Sequence, residues 1–486
     1  MKNHHNNNSI WRIWRIMAAA LILLSSCEKE PDPKPDPDPD PDIPADILLL
    51  NNWIWEGMSE VYLWEAFMPN LDPNKEPDPR EFFDKLLYDD DIYSWIVDDY
   101  DALVAQLQGG VELTTGMSAY HRLIEGDQVI SIVNYVTPGS PAADSGVVRG
   151  DIIMTIDGQY LDKDNYWELN HQTTATYVFG TWDGTYMVPT GKVVTLTAIE
   201  LSQNPVVHSE IIEYEGEKIG YFVYTQFTAG ESEEWIVELN NVFESFKTAA
   251  VTDVVVDLRY NGGGLLGLSA YMASTLGSAT AMNANDVYVK LVWNDLYNQY
   301  WRESDLDEDG NPDGEDSPQL VIKLPPSDLN LNLSKVYFLT TDWTASASES
   351  LMVGLYPYIN VVQIGTTTYG KCYGSFTVDD WHVPKRHNWA MQPIILKYAN
   401  AEGYTDFVDG IIPDYYIEEQ LLDLKSFGSY EDPILAKALE DITGIAPVVK
   451  KSVQPDVDLS PLPRPRKQIP EMIIDWPEKP GKRIIY

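Results

Sequence analysis

Cysteine is nearly absent from this chain. Cys27 and Cys372 are the only two in 486 residues, so no disulfide framework carries the fold and each thiol has to be read singly. Histidine is scarce as well, with 7 residues, and His121, His171, His208, His382 and His387 show neither metal-ligand spacing nor a local motif. A serine and histidine triad assembled only by folding stays open at this level. Basic residues number 33 against 75 acidic ones, and a formal charge of −42 argues against nucleic acid or anionic lipid as a direct partner. The apolar run from Ile16 to Leu24 is too short to span a bilayer. No fixed-period repeat is present beyond a proline and aspartate spacer. What is abundant is core-forming material: 44% hydrophobic residues, with 29 Tyr and 15 Trp, enough for a soluble globular protein of two or three domains.

Arg12 and Arg15 precede Ile16–Leu24, the basic start and short apolar core of a secretory signal over residues 1–26. Residues 27–45 form a linker. Its run from Pro31 to Asp42 cannot bury a core and is expected as an extended spacer of roughly 35–40 Å. Leu24, Ser25, Ser26 and Cys27 resemble a bacterial lipobox, which implies cleavage before Cys27 and lipidation of its sulfur. Ordinary signal cleavage beside an incidental cysteine is the competing reading. The expectation is a lipid-anchored protein of the cell envelope, on the outer membrane, facing the periplasm or the surface. The acidic residues after Cys27 resemble surface-export signals, and a solvating linker explains them equally well.

Three patterns follow one another along the rest of the chain. Over 46–110, Trp53, Met58, Tyr62 and Leu63, then Phe82, Phe83, Leu86 and Leu87, recur at helical spacing and predict a small helical cap. Over 111–203, short alternating runs such as Gln128 to Val136, Asp151 to Ile156 and Val193 to Leu201, punctuated by Gly and Pro, predict a β-rich domain. Over 204–445, strand and helix patterns alternate and predict an α/β domain. Residues 446–486 form a tail with a basic, proline-containing run from Pro461 to Lys467. The fold class is therefore multidomain α+β.

The chemistry concentrates in the third region. Val336–Leu339 reads as a strand and Ala345 to Leu355 as a helix, so Ser346 falls at a strand-to-helix turn where backbone N–H groups and the helix dipole can stabilise an oxyanion. Val361–Ile364 reads as the next buried strand, and its following loop returns Lys371 towards Ser346. Serine needs a base, and lysine serves only where burial or a neighbouring cation lowers its pKa. Ser346 and Glu349 also spell a helix capping box, a role compatible with catalysis in the same residue. Cys372, beside Lys371, reads as a small packing residue rather than a nucleophile, since no histidine lies near it in sequence. Val254–Asp257 runs as a buried strand towards Gly262, Gly263, Gly264 and Gly267, which spell a dinucleotide fingerprint. That match is discounted, because Arg259, Tyr260 and Asn261 separate strand from glycines and Asp286 precedes the next strand.

Two resemblances give these motifs a context. Val136 to Ala142 and Gly146 to Gly158 resemble the central stretch of a PDZ domain, which implies that Gly116, Met117, Ser118, Ala119 and Tyr120 supply backbone donors to a peptide carboxylate. Ser118 stands where a second glycine is common. Asp257 to Gly264, Ser346 in its SASE run and Lys371 in its YGK run, taken with the PDZ-like stretch, resemble the C-terminal processing peptidases, or tail-specific proteases. The resemblance implies a crotonase-like α/β peptidase domain, Ser346 as nucleophile, Lys371 as general base, and Gly263, Gly264 and Ala347 as oxyanion-hole amides. It implies a protein or peptide substrate and no required cofactor. Ser375 stands four positions after the lysine, where the family often has an orienting glutamine. A catalytically silent, PDZ-based binding lipoprotein is the alternative.

Asp305, Asp307, Asp309, Asn311, Asp313 and Asp316, with Gly310 at the turn, follow the oxygen-ligand spacing of a calcium loop. Pro312 and the short Asp316 depart from that pattern, and a solvated acidic loop is the competing reading. Oligomeric state has no signature in the sequence.

Overall fold

The computed structural model describes residues 43–109, 111–183, 186–306, 310–449, 459–462 and 472–473. The secretory run, Cys27, the proline and aspartate spacer, and the loop residues Asp307 and Asp309 lie outside the described residues. Among the described residues no helix is long and apolar enough to cross a membrane.

The N-terminal helices form where their apolar spacing puts one face inward. Helix Ala45–Val61 buries Trp53, Ile54 and Met58, and helix Pro79–Leu86 buries Phe82, Phe83 and Leu86. Asp78 caps the second helix by accepting from the N–H groups of Arg80 and Glu81. A short strand the periodicity did not reveal, Trp95–Val97, pairs with Ala390–Gln392 and stitches this region to the later domain. Three consecutive apolar residues carry no alternation by which to recognise a strand.

The β-rich region folds as a seven-stranded sheet among the described residues. Its main path runs Ser460–Pro461, Met117–Glu125, Gln128–Val136, Ile152–Ile156, Thr174–Trp182, Met187–Thr197. The third domain is built on a six-stranded sheet ordered Val206–Tyr214, Glu217–Tyr224, Asp253–Asp257, Lys335–Thr340, Asn360–Gly365, Tyr415–Tyr416. Its first pair is antiparallel and the rest are parallel. Parallel strands are covered on both faces and hence read as continuous Val and Leu runs. Val254 and Val256 join a core with helices Glu234–Ala249, Leu266–Leu276 and Ala347–Leu355, while Val255, between them, packs on Ile434, Leu435 and Leu439 of helix Pro433–Thr443. A second six-stranded sheet is ordered Gly264–Leu265, Met472–Ile473, Tyr373–Ser375, Ile394–Asn400, Val287–Trp293, Val321–Lys323.

Candidate active site

Adjacent parallel strands place the loops at their C-terminal ends side by side, about 4.8 Å apart at the root. Strands Asp253–Asp257, Lys335–Thr340 and Asn360–Gly365 are such neighbours, and their loops carry the glycine run, Ser346 and Lys371. The loops are laced together by hydrogen bonds. Thr344 Oγ1 donates to Leu258 O at 2.8 Å, Ala345 N to Asn261 O at 3.1 Å, and Tyr369 N to Thr344 O at 2.9 Å.

Ser346 lies fully buried at φ 62°, ψ −113°, a left-handed backbone that a non-glycine residue adopts at a cost of order 1–3 kcal/mol. The turn starts the helix at Ala347, two residues later than the apolar run suggests. Among the described residues the buried Ser346 hydroxyl has no hydrogen-bond partner, while Glu349 Oε2 accepts from Ser346 N at 2.7 Å, the glutamate arm of a capping box. The same oxygen accepts from Lys371 N at 2.8 Å, while Oε1 accepts from Gly370 N at 2.7 Å and Thr368 Oγ1 at 2.5 Å. One buried carboxylate therefore fixes both the serine turn and the lysine loop. Burial pushes its pKa above the ordinary 4.5, against the pull of these four donors.

Lys371 is buried, with its ammonium nitrogen 5.6 Å from the centre of the Tyr93 ring. Tyr93 also donates to Gly370 O at 3.3 Å. Tyr398 OH lies within hydrogen-bond reach of two carbonyls, 3.2 Å from Ser346 O and 3.3 Å from Lys371 O. Gly370 (φ +94°) belongs here for steric reasons, since a Cβ would meet Val408 O at 2.4 Å. Cys372 is buried and free, and burial pushes its thiol up to about 11, which keeps it protonated at neutral pH. Ser375 Oγ accepts from Gln392 Nε2 at 3.2 Å, so a glutamine reaches this position from another strand.

In the glycine loop, Gly263 N donates to Asn261 Oδ1 at 2.8 Å, and the Asn261 amide is held by Tyr224 O at 3.0 Å. Gly264, at φ +130°, bridges Phe227, and a Cβ there would stand 2.2 Å from Phe227 O. Ala347 is the first residue of its helix, where N–H groups have no intrahelical acceptor.

A cavity of about 250 Å³ is lined by Met117, Ser118, Ala119, His121, His171 and Trp343, among others. Gly116 makes the turn before Met117 at φ +77°. Tyr120 points elsewhere: its side chain is buried, and its hydroxyl donates to Glu419 at 3.3 Å. Glu419 anchors a buried ionic cluster at this junction. It pairs with Arg149 at 2.9 Å and Arg259 at 3.1 Å, while Arg259 also pairs with Asp257 at 2.6 Å and Asp432 at 2.8 Å.

Of the acidic loop, Asp305 accepts from Ser317 Oγ and Asp316 sits in the short turn Gly314–Asp316, with Asn311 and Asp313 between them. Among the described residues no group of three or more Asp, Glu, His or Cys is placed to hold a metal ion. The residues that sequence reasoning missed are Tyr93, Thr368 and Tyr398, and the second role of Glu349. The capping box flagged Glu349 only as the start of a helix, and nothing local to the others points to Lys371.

Residues 218–417 match peptidase family S41, residues 50–95 the peptidase S41 N-terminal domain, and residues 132–168 a PDZ domain. A carboxyl-terminal-processing protease of a Picosynechococcus species is 25% identical over 63% of this chain and 65% of its own length. A carboxy-terminal-processing protease of Bartonella bacilliformis is 24% identical over 60% of this chain and 59% of its own. The chain thus spans less than two thirds of either curated relative. A crystal structure described as an S41 protease from Bacteroides fragilis superposes with a TM-score of 0.65 at 29% identity, covering 81% of this chain and 97% of that one. Residues 218–417 are thus a peptidase family S41 domain, with that family's N-terminal domain and a PDZ domain placed before it.

Proposed function

We propose that the protein is an exported, lipid-anchored serine endopeptidase, with Ser346 as nucleophile and Lys371 as general base. The observation that carries this reading is the Glu349 carboxylate, one oxygen of which accepts from both Ser346 N and Lys371 N. Lysine takes a proton only in its neutral form, and burial is the environment that favours that form. The amine of Lys371 accepts the Ser346 proton as Oγ bonds to the scissile carbonyl carbon. The oxyanion so formed is met by N–H groups of Ala347 and Gly264, and by Gly263 once its N–H leaves Asn261 Oδ1. The Lys371 ammonium then protonates the departing amine, and water hydrolyses the acyl-enzyme by the same proton route. Gln392 takes over the orienting part left open by Ser375. The PDZ domain engages the protein substrate through Gly116 to Tyr120, and Cys27 carries the lipid.

Ser346→Ala is expected to lower hydrolysis of fluorescein-labelled casein by about 10⁴-fold or more with little change in melting temperature. Lys371→Arg should be comparably inactive, since a guanidinium stays charged. Turnover retained by either variant would move the chemistry elsewhere, and a wild type without turnover would favour the silent binding protein. Cys27→Ser should shift the protein from the washed membrane fraction to the soluble one. Retention there would point to a different anchor.

A further inference from the structure

Two strand edges meet a peptide in this molecule, and both are occupied by the same stretch of its own chain. In the second sheet, Met472 pairs with Gly264, and Ile473 pairs with Leu265 on one side and Ser375 on the other. Gly264 belongs to the glycine loop and Ser375 to the strand that follows Lys371, so this extended dipeptide lies between the two loops that border Ser346. Further back, Ser460 pairs with Leu123 and Pro461 with Arg122, antiparallel to the PDZ strand Met117–Glu125 and running towards Gly116 as residue number rises. Leu462 packs against the PDZ core, and Leu459 against the neighbouring cluster of Ile124, Ile130 and Ile152. This is strand addition, the means by which a sheet edge takes up an extended peptide.

We infer that the slot between Gly264–Leu265 and Tyr373–Ser375 is the backbone site for a peptide substrate, and that Met472–Ile473 fills it as a self-ligand that substrate displaces. The inference rests on the peptidase reading above. Among the described residues each contact spans two paired positions, and Pro461 has no N–H to give. The sequence between them carries Arg464, Arg466 and Lys467 in a chain of net charge −42, so long-range attraction favours the seated state. Tethering supplies the self-ligand at an effective concentration on the order of millimolar, so it competes without tight contacts. A competitor of this kind raises KM and leaves kcat alone, because the site left behind is unchanged.

The test uses the full chain carrying Leu462→Asp and Ile473→Pro, which unseats the PDZ contact and removes one strand donor. In a Ser346→Ala background, a fluorescein-labelled peptide of the sequence Leu459 to Ile473 is titrated by anisotropy. It is expected to bind the double variant about ten-fold more tightly than the chain with its tail intact. Equal affinity, or no binding to either chain, overturns the proposal. This readout needs no turnover, so it separates failure here from failure of the serine mechanism. With Ser346 present, KM for labelled casein should fall several-fold at unchanged kcat, and the unlabelled peptide added in trans should restore it competitively. A fall in kcat would mean that the segment is a structural part of the site, and would overturn the proposal as well. A matching melting temperature for the double variant and the parent guards the comparison against misfolding.

Discussion

Glu349 divides one carboxylate among four donors, and that division makes Ser346 and Lys371 neighbours. A buried donor left without an acceptor costs about 1–3 kcal/mol. Glu349→Ala orphans the N–H groups of Ser346, Gly370 and Lys371 together, and the neighbourhood relaxes only in part. The expected destabilisation is about 4 kcal/mol, read from urea denaturation, together with loss of hydrolysis although the hydroxyl and the amine are both still present. An active Glu349→Ala enzyme of wild-type stability would show that the carboxylate merely caps a helix. Gly264 is under a different constraint, since its φ of +130° and the nearby Phe227 carbonyl forbid any side chain.

The PDZ strand Met117–Glu125 carries its own titration. His121 Nδ1 lies 2.8 Å from Ser131 Oγ, and burial, followed by His171 and Arg122, pushes its pKa from 6.5 down to about 4. A folded value below the unfolded one means that the folded state binds fewer protons. The contribution is therefore complete above about pH 6.5 and is lost as pH falls towards 4. Melting temperature should decline over that window in the parent and decline less in His121→Gln. Parallel profiles would remove His121 from the account. At this scale the sequence was legible wherever burial repeats in a regular period. Gln128–Val136 and the parallel strands around Val255, Phe338 and Val362 emerge from alternation or from continuous apolar runs, and Ser346 and Lys371 from their motifs. Trp95–Val97, Ser460–Pro461 and Met472–Ile473 were not legible, because so short a strand is defined by the partner it meets and not by its own pattern. Tyr93 and Tyr398 escaped for the same reason: a buried tyrosine looks alike in sequence whether it lines a core or a lysine pocket.

At the scale of the whole molecule, the described residues from Ile43 onward form one compact unit, and Glu419 lies where the PDZ and peptidase domains join. Arg149 arrives from the PDZ side, while Arg259 stands two residues before Asn261 in the glycine loop. Breaking a buried pair by removing one partner costs about 3–5 kcal/mol, and Arg259 still holds Glu419 when Arg149 is gone. Arg149→Met should therefore lose about 3 kcal/mol, at the low end of that range. Calorimetry of the parent should show one transition for both domains, since neither can open without exposing part of the cluster. Two resolved peaks in the parent would contradict a shared junction.

The shared carboxylate of Glu419 also limits how this protein can be recombined. A domain swapped in from a relative brings its own surface but not the opposite half of the Arg149, Tyr120, Arg259 and Tyr260 arrangement, so one charge would enter the junction without its counterpart. Exchange succeeds only when the residues on both sides of Glu419 travel together. The sequence is written as successive modules, but its unit of inheritance is the joined pair.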